Sequence, residues 1–158
     1  MNPRIEVLPE KKLVGMNMEM SFNQDRTPEL WGLFMPKRRY VQNRVDDKFY
    51  SMQIYDGLFR FKQSDPNRAF QKWAAVEVTD FTSVENDFDT YLLQGGKYAV
   101  FIHNGPAHAF MKTFSYIFET WLPASEYELD NREHFECMTE DYHPADPNAT
   151  EEVWIPIK

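Results

Sequence analysis

The sequence predicts an α+β domain in which two β-α-β-β modules, related by a pseudo-twofold axis, form an antiparallel sheet carrying two main helices. Three observations predict it. Segments of strand and helix character come round twice in the same order along the 158 residues. The tripeptide Asp-Pro-Asn occurs at 65–67 and again at 146–148, each time leading at the same distance to a Trp, Trp73 and Trp154. Both pairs stand 81 positions apart, close to half the chain, which divides one domain into residues 1–82 and 83–158. Two such units can pair about an axis with their helices packed on the sheet. A cleft on that axis is a natural ligand site.

The elements follow in order. Arg4–Val7 and Leu13–Met20 read as extended, the second alternating Val14, Met16, Met18 and Met20. "TPELWGLFMPKRRYVQNR" reads as a helix with Thr27 at its N-cap and Pro28 at the first helical position. Pro36 is expected to kink or shorten it, because proline has no N–H for the ladder. "FYSMQIYD" and "KWAAVEVTD" are strands rich in aromatic and β-branched residues. The second round opens with a strand at Thr90–Leu93 or, after Gly95-Gly96, at "KYAVFIH". Phe110, Phe114, Ile117, Phe118 and Trp121 recur at helical spacing, and Pro123 is expected to close that helix. "HFECMTED" and "EEVWIPIK" complete the set as strands.

Composition narrows the function. Phe 13, Tyr 8 and Trp 4 make 16% of the chain, an excess that suits a pocket or groove walled by rigid rings. A core that uses Phe where others use Leu would give the same count. Net charge is −8 and the isoelectric point about 5.0, so the surface repels phosphate backbones and no direct nucleic-acid binding is expected. The N-terminus has no apolar signal core, and no apolar run approaches the roughly 18 residues of a membrane span. A single Cys137 excludes an internal disulfide framework, and a cytoplasmic protein is expected. His103, His108, His134 and His143 lack metal-ligand spacing, and no nucleotide or nucleophile motif occurs, so neither metal nor cofactor is expected. Cys137 reads as a small buried hydrophobe.

The carboxylates carry the chemistry. On "HFECMTED", Phe135, Cys137 and Thr139 share one face, while His134, Glu136, Met138 and Glu140 share the other. On "EEVWIPIK", Glu152 and Trp154 face away from Val153, Ile155 and Ile157. A Glu beside a Trp would hold an organic cation, the ring face attracting it and the carboxylate neutralising it. Either Glu could equally lie on a solvated face, and a slip of one residue in register turns each over.

The ending "YELDNREHFECMTEDYHPADPNATEEVWIPIK", the strand pair Phe135-Glu136, and the openings "PRIEVLPEKKLVGM" and "GGKYAVFIHNGP" resemble the gyrase-inhibitor-like small-molecule-binding family. That family is also described as the bacterial transcription-activator effector-binding domain, and the resemblance spans essentially the whole chain. It implies two β-α-β-β modules about a pseudo-twofold axis, and an aromatic cleft with an acidic floor that takes lipophilic, often cationic, multidrug-type compounds. Glu136 matches the acidic residue best, with Glu152 second. Many relatives are fused to a helix-turn-helix domain, whereas this chain begins at the first strand and is expected to be a stand-alone member.

The first reading is therefore a ligand-binding module for hydrophobic, cationic small molecules. Glu136 is its charge partner, and Trp31, Tyr55, Trp73, Tyr98, Phe118 and Trp154 are candidate walls. A second is a hydrolase of reactive, cyclopropane-bearing compounds, with Glu136 or Glu152 as general base. A third is an interaction module of gyrase-inhibitor type, whose acidic surface meets a topoisomerase or regulator.

Overall fold

The computed structural model describes residues 1–62 and 65–158. Within them lie eight strands: β1 (Arg4–Leu8), β2 (Lys11–Met20), β3 (Phe49–Tyr55), β4 (Phe70–Val78), β5 (Asp89–Leu93), β6 (Gly96–Asn104), β7 (His134–Met138) and β8 (Thr150–Pro156). They form one sheet in the order β1-β6-β8-β7-β3-β4-β2-β5, and every adjacent pair is antiparallel. Exchanging β1 with β5, β2 with β6, β3 with β7 and β4 with β8 leaves that order unchanged when read from the other end. The pseudo-twofold axis thus runs between β3 and β7, where Met52 pairs with Phe135. Each half is a β-α-β-β unit preceded by one short extra strand. Both segments that competed for the first strand of the second half are strands, β5 and β6.

The sheet cannot be flat. β5 ends at Leu93 and β6 begins at Gly96, yet the two stand at or near opposite ends of the order. Three Cα steps span at most about 11 Å, so the ends must curl until they meet. Pro9-Glu10 makes the equivalent short connection from β1 to β2. Gly15 permits close approach on β2, because a Cβ there would run into the carbonyl of Ala74. The curl buries one face without any helix. Leu8 and Leu93, from opposite edges, join Met52, Trp73, Phe135 and Trp154 in a single apolar cluster.

The other face carries the helices. Helix α1 (Thr27–Phe34) lays Leu30 and Phe34 against Val14, Ala74 and Val76. Helix α2 (Phe110–Ser115) continues through a π-helical turn, Tyr116–Trp121, to Leu122–Ala124, and presses Ile117 onto Ala99, Phe101 and Val153. Pro36 shortens α1 as expected: the helix stops at Phe34, and Met35–Tyr40 runs on as a 3₁₀ turn. Two details depart from the expectation. Thr27 is not the N-cap but the first helical residue; its N–H and hydroxyl both donate to Asp25 Oδ1, at 3.0 and 2.6 Å, the carboxylate being the stronger acceptor. Pro123 falls inside the last turn, and the chain leaves the helix after Ala124.

The two Asp-Pro-Asn segments fold alike. Asp65 Oδ1 accepts from the N–H of Asn67 at 3.0 Å, and its carbonyl from Arg68 at 3.0 Å. Asp146 does the same for Asn148 at 2.8 Å and Ala149 at 3.1 Å. Such Asx turns let a short loop feed a strand; here the strands are β4 and β8. Among the described residues no helix is long and apolar enough to cross a membrane.

Candidate functional site

Strand parity decides which residues can meet. On the helix-bearing face, β3 presents Ser51, Gln53 and Tyr55, β4 presents Phe70 and Lys72, and β7 presents His134, Glu136 and Met138. Cross-strand pairing sets Lys72 beside Gln53, Gln53 beside His134, and Ser51 beside Glu136. Glu151 lies on the same face of β8. All six polar residues, Ser51, Gln53, Lys72, His134, Glu136 and Glu151, are buried. A polar patch of that extent at the centre of a sheet is costly unless its members satisfy one another or a ligand.

Glu136 sits at its middle. Gln53 Nε2 donates to Glu136 Oε1 at 3.0 Å, and Lys72 Nζ stands 3.9 Å from the same oxygen, an ion pair without a hydrogen bond. Burial pushes the Glu136 carboxyl up to about 7, Lys72 and Gln53 pulling it down and Glu151 adding to the rise. Glu151 is raised as well, by burial first, while the Tyr142 hydroxyl bonded to it opposes the rise. Two carboxyl groups thus share one ammonium. Burial holds His134 down at about 3, and Arg132 adds to this, so its imidazole is a neutral flat ring at physiological pH.

Aromatic rings roof this floor. Tyr55 stands edge-on to His134 at 5.0 Å, and Phe59 lies 4.7 Å from Tyr55, 5.4 Å from His134 and 5.1 Å from Phe118. Phe61 stacks on Phe118 at 5.7 Å. Phe59 and Phe61 belong to the connection between β3 and β4, which crosses to the helix of the other half, where Lys62 pairs with Glu119 at 2.5 Å. A cavity of about 30 Å³ opens beside Tyr55, Phe59 and Phe70, and one of about 240 Å³ beside Met138, Glu151 and Glu152. Glu136 lines neither; the Phe59 ring, which lines the smaller one, packs on His134.

Of the eight residues singled out from sequence, Glu136, Tyr55 and Phe118 come together here. Trp31 lies on the same face, in α1, edge-on to Phe34 and Phe49. Trp73, Tyr98, Trp154 and Glu152 lie on the opposite, curled face. There Trp154 stacks on Phe135 at 5.1 Å, and the Tyr98 hydroxyl donates to the Glu133 carbonyl at 2.8 Å. Glu152 and Trp154 do hold an organic cation, but it is the protein's own. Arg4 Nη2 donates to Glu152 Oε2 at 2.6 Å, its guanidinium lies 5.7 Å from the Trp154 ring, and Trp154 Nε1 donates to Glu152 Oε1 at 3.1 Å. Cys137 is buried, and burial lifts its thiol to about 12, far from reactive.

Sequence reasoning missed Gln53, Lys72, His134, Glu151 and Phe59. Gln53 and Lys72 lie on strands rich in apolar residues and His134 shares its face with Glu136, but that they meet becomes legible only once the register is known. Phe59 lies in a loop, where no periodicity points to it.

An antiparallel sheet closed on one face, with a carboxylate sunk between two helices on the other and walled by aromatic rings, defines a small-molecule-binding α+β domain. The chain belongs to the GyrI-like small molecule binding domain family, whose model matches residues 1–158. It is similar to the transcriptional regulator BrlR of Pseudomonas aeruginosa, being 27% identical over a stretch covering 99% of this chain and 56% of that protein. The chain thus spans about half the length of this curated relative. Among solved structures, SAV2435 bound to tetraphenylphosphonium superposes with a TM-score of 0.69 at 16% identity, covering 100% of this chain and 94% of that one. A hydrolase from Listeria innocua superposes with a TM-score of 0.63 at 13% identity, covering 99% and 92%. At these identities the likeness is one of fold.

Proposed function

We propose that this domain binds hydrophobic cations against Glu136, as a cytoplasmic effector-binding sensor or a sequestering protein. The observation that carries the reading is the Glu136 carboxyl itself, buried, raised to about 7, close to Tyr55 and next on its strand face to His134, on which Tyr55, Phe59 and Phe118 pack. A carboxylate kept in such surroundings is a liability for folding unless a cation relieves it. Lys72 relieves it in part, but the long 3.9 Å contact and the second carboxyl, Glu151, leave the site short of positive charge. The ligand's apolar body would take the place of the Phe59 ring, which packs on His134 and Phe118 beside the site. The tetraphenylphosphonium held by SAV2435 on the same fold is an ion of this class. In a longer regulator such a site would report ligand to a DNA-binding partner.

The test is a thermal-shift comparison of wild type and Glu136→Gln with tetraphenylphosphonium and a neutral tetraphenyl analogue. A ligand that binds only the folded state raises its melting temperature by mass action. The cation should stabilise wild type more than the neutral compound does, and the variant should lose that preference. Equal responses in both proteins would remove Glu136 from the site.

A second reading rests on the same carboxyl: a group titrating near 7 in a dry pocket is poised as a general base on water, which suits hydrolysis of an electrophilic ligand. Turnover of a cyclopropane-bearing substrate by wild type, absent in Glu136→Gln, would select it.

A further inference from the structure

The site contains a hydrogen-bonding demand that charge does not explain. Gln53 is buried at 5% exposure, and its side chain lies on the same face as Glu136. A carboxylate can only accept, so the amide Nε2 turns towards Glu136 and donates at 3.0 Å. The other end of the amide is then committed. Gln53 Oε1 is buried and has no hydrogen-bond partner among the described residues. Lys72 is its cross-strand neighbour and carries three N–H donors, yet none reaches this oxygen. Buried carbonyl oxygens are rarely left unpaired, because their lost hydration is not recovered. Gln53 Oε1 and Glu136 together make a pair of adjacent acceptors at the centre of the sheet, beside His134, on which the Phe59 ring packs.

We infer that the site prefers a cation that donates hydrogen bonds, a protonated amine or amidinium, over a quaternary ammonium or phosphonium ion. One N–H goes to Glu136 and a second to Gln53 Oε1, while the aromatic body replaces Phe59 against Tyr55 and Phe118. A quaternary ion meets the charge and the rings but leaves Gln53 unpaired. Gln53 is thus a specificity-determining residue. Lys72 does not substitute for the ligand, since its ammonium sits 3.9 Å from Glu136 and does not reach the free oxygen. This inference rests on the proposed cation site at Glu136.

The test uses two ligands of the same body and charge: 4-phenylbenzylammonium and its N,N,N-trimethyl analogue, titrated calorimetrically at a pH below the amine's pKa. Wild type should bind the primary ammonium roughly tenfold tighter, the usual gain from one extra hydrogen bond to a charged donor. In Gln53→Met, which keeps the length but has neither donor nor acceptor, the ratio of the two affinities should fall several-fold, to what the hydrogen bond to Glu136 alone sustains. Should that variant fail to fold, Gln53→Asn, which withdraws the carbonyl by one carbon, should also shrink the ratio. Equal affinities in wild type, or a ratio unchanged in the variants, would overturn the inference while leaving the cation site standing. Binding of neither ligand would overturn both.

Discussion

The two faces of the sheet treat the pseudo-twofold axis differently. On the curled face the axis exchanges Trp73 with Trp154 and Met52 with Phe135, large apolar residues for large apolar residues. On the helix-bearing face it exchanges Gln53 with Glu136, Ser51 with His134, Lys72 with Val153 and Phe70 with Glu151. Glu136 therefore hydrogen-bonds to its own symmetry mate. Both halves supply rings, Tyr55 and Phe59 from the first and Phe118 and His134 from the second, but the first supplies the ammonium and the second the carboxyl groups. Packing asks only for volume and apolarity, which both halves meet in the same way. A site on the axis that takes one charged, asymmetric ligand cannot be symmetric. We propose that a duplicated chain kept its matched face as scaffold and diverged on the other to build the site.

The comparison breaks first on the matched face. Trp73→Ala and Trp154→Ala each remove a buried indole from the same cluster. Each should cost about 3–5 kcal/mol in denaturant unfolding. Similar values would sustain the symmetry of that face, and a cost confined to one Trp would refute it.

The site face is sharpened by pH. The Glu136 carboxyl titrates near 7 in the fold and near 4.5 when free, so the folded state holds the proton more tightly. Stability is therefore lost as pH rises from about 4.5 to about 7, and the loss persists above that. Glu136→Gln should lack this component and gain about 3 kcal/mol over wild type above neutrality, read from urea midpoints at several pH values. A variant whose pH profile overlays that of wild type would mean that the carboxyl is not buried as described.

The smallest effect is expected where the protein supplies its own cation. Arg4 and Glu152 are partly exposed, so Arg4→Ala should change stability by no more than about 1 kcal/mol. It should leave the cation affinity at Glu136 untouched, because Glu152 lies on the other face. A loss of affinity as large as that of Glu136→Gln would show that the two faces communicate.

Much of this was legible in the sequence. The recurrence of Asp-Pro-Asn before Trp73 and Trp154 exposed the twofold scaffold, since turn chemistry and strand volume are local. Glu136 stood out as a carboxylate on an apolar strand. Its partners did not. Gln53, Lys72 and Glu151 come from three other strands, and only the register, fixed by the curl and by the short β1–β2 and β5–β6 connections, brings them together. Glu152 and Trp154 show the converse: local pattern set a Glu beside a Trp, and Arg4, 148 positions away, occupies the pair.

The most direct test follows tetraphenylphosphonium affinity from pH 5 to 8, because the charge of this ion does not titrate while that of Glu136 does. Wild type should bind most tightly above about pH 7 and weaken steadily below it, as protonation removes the carboxylate. Glu136→Gln should bind weakly with a flat profile. Parallel profiles in the two proteins, or affinity rising towards acid in wild type, would contradict the claim that this buried carboxylate is what the fold offers to a cation.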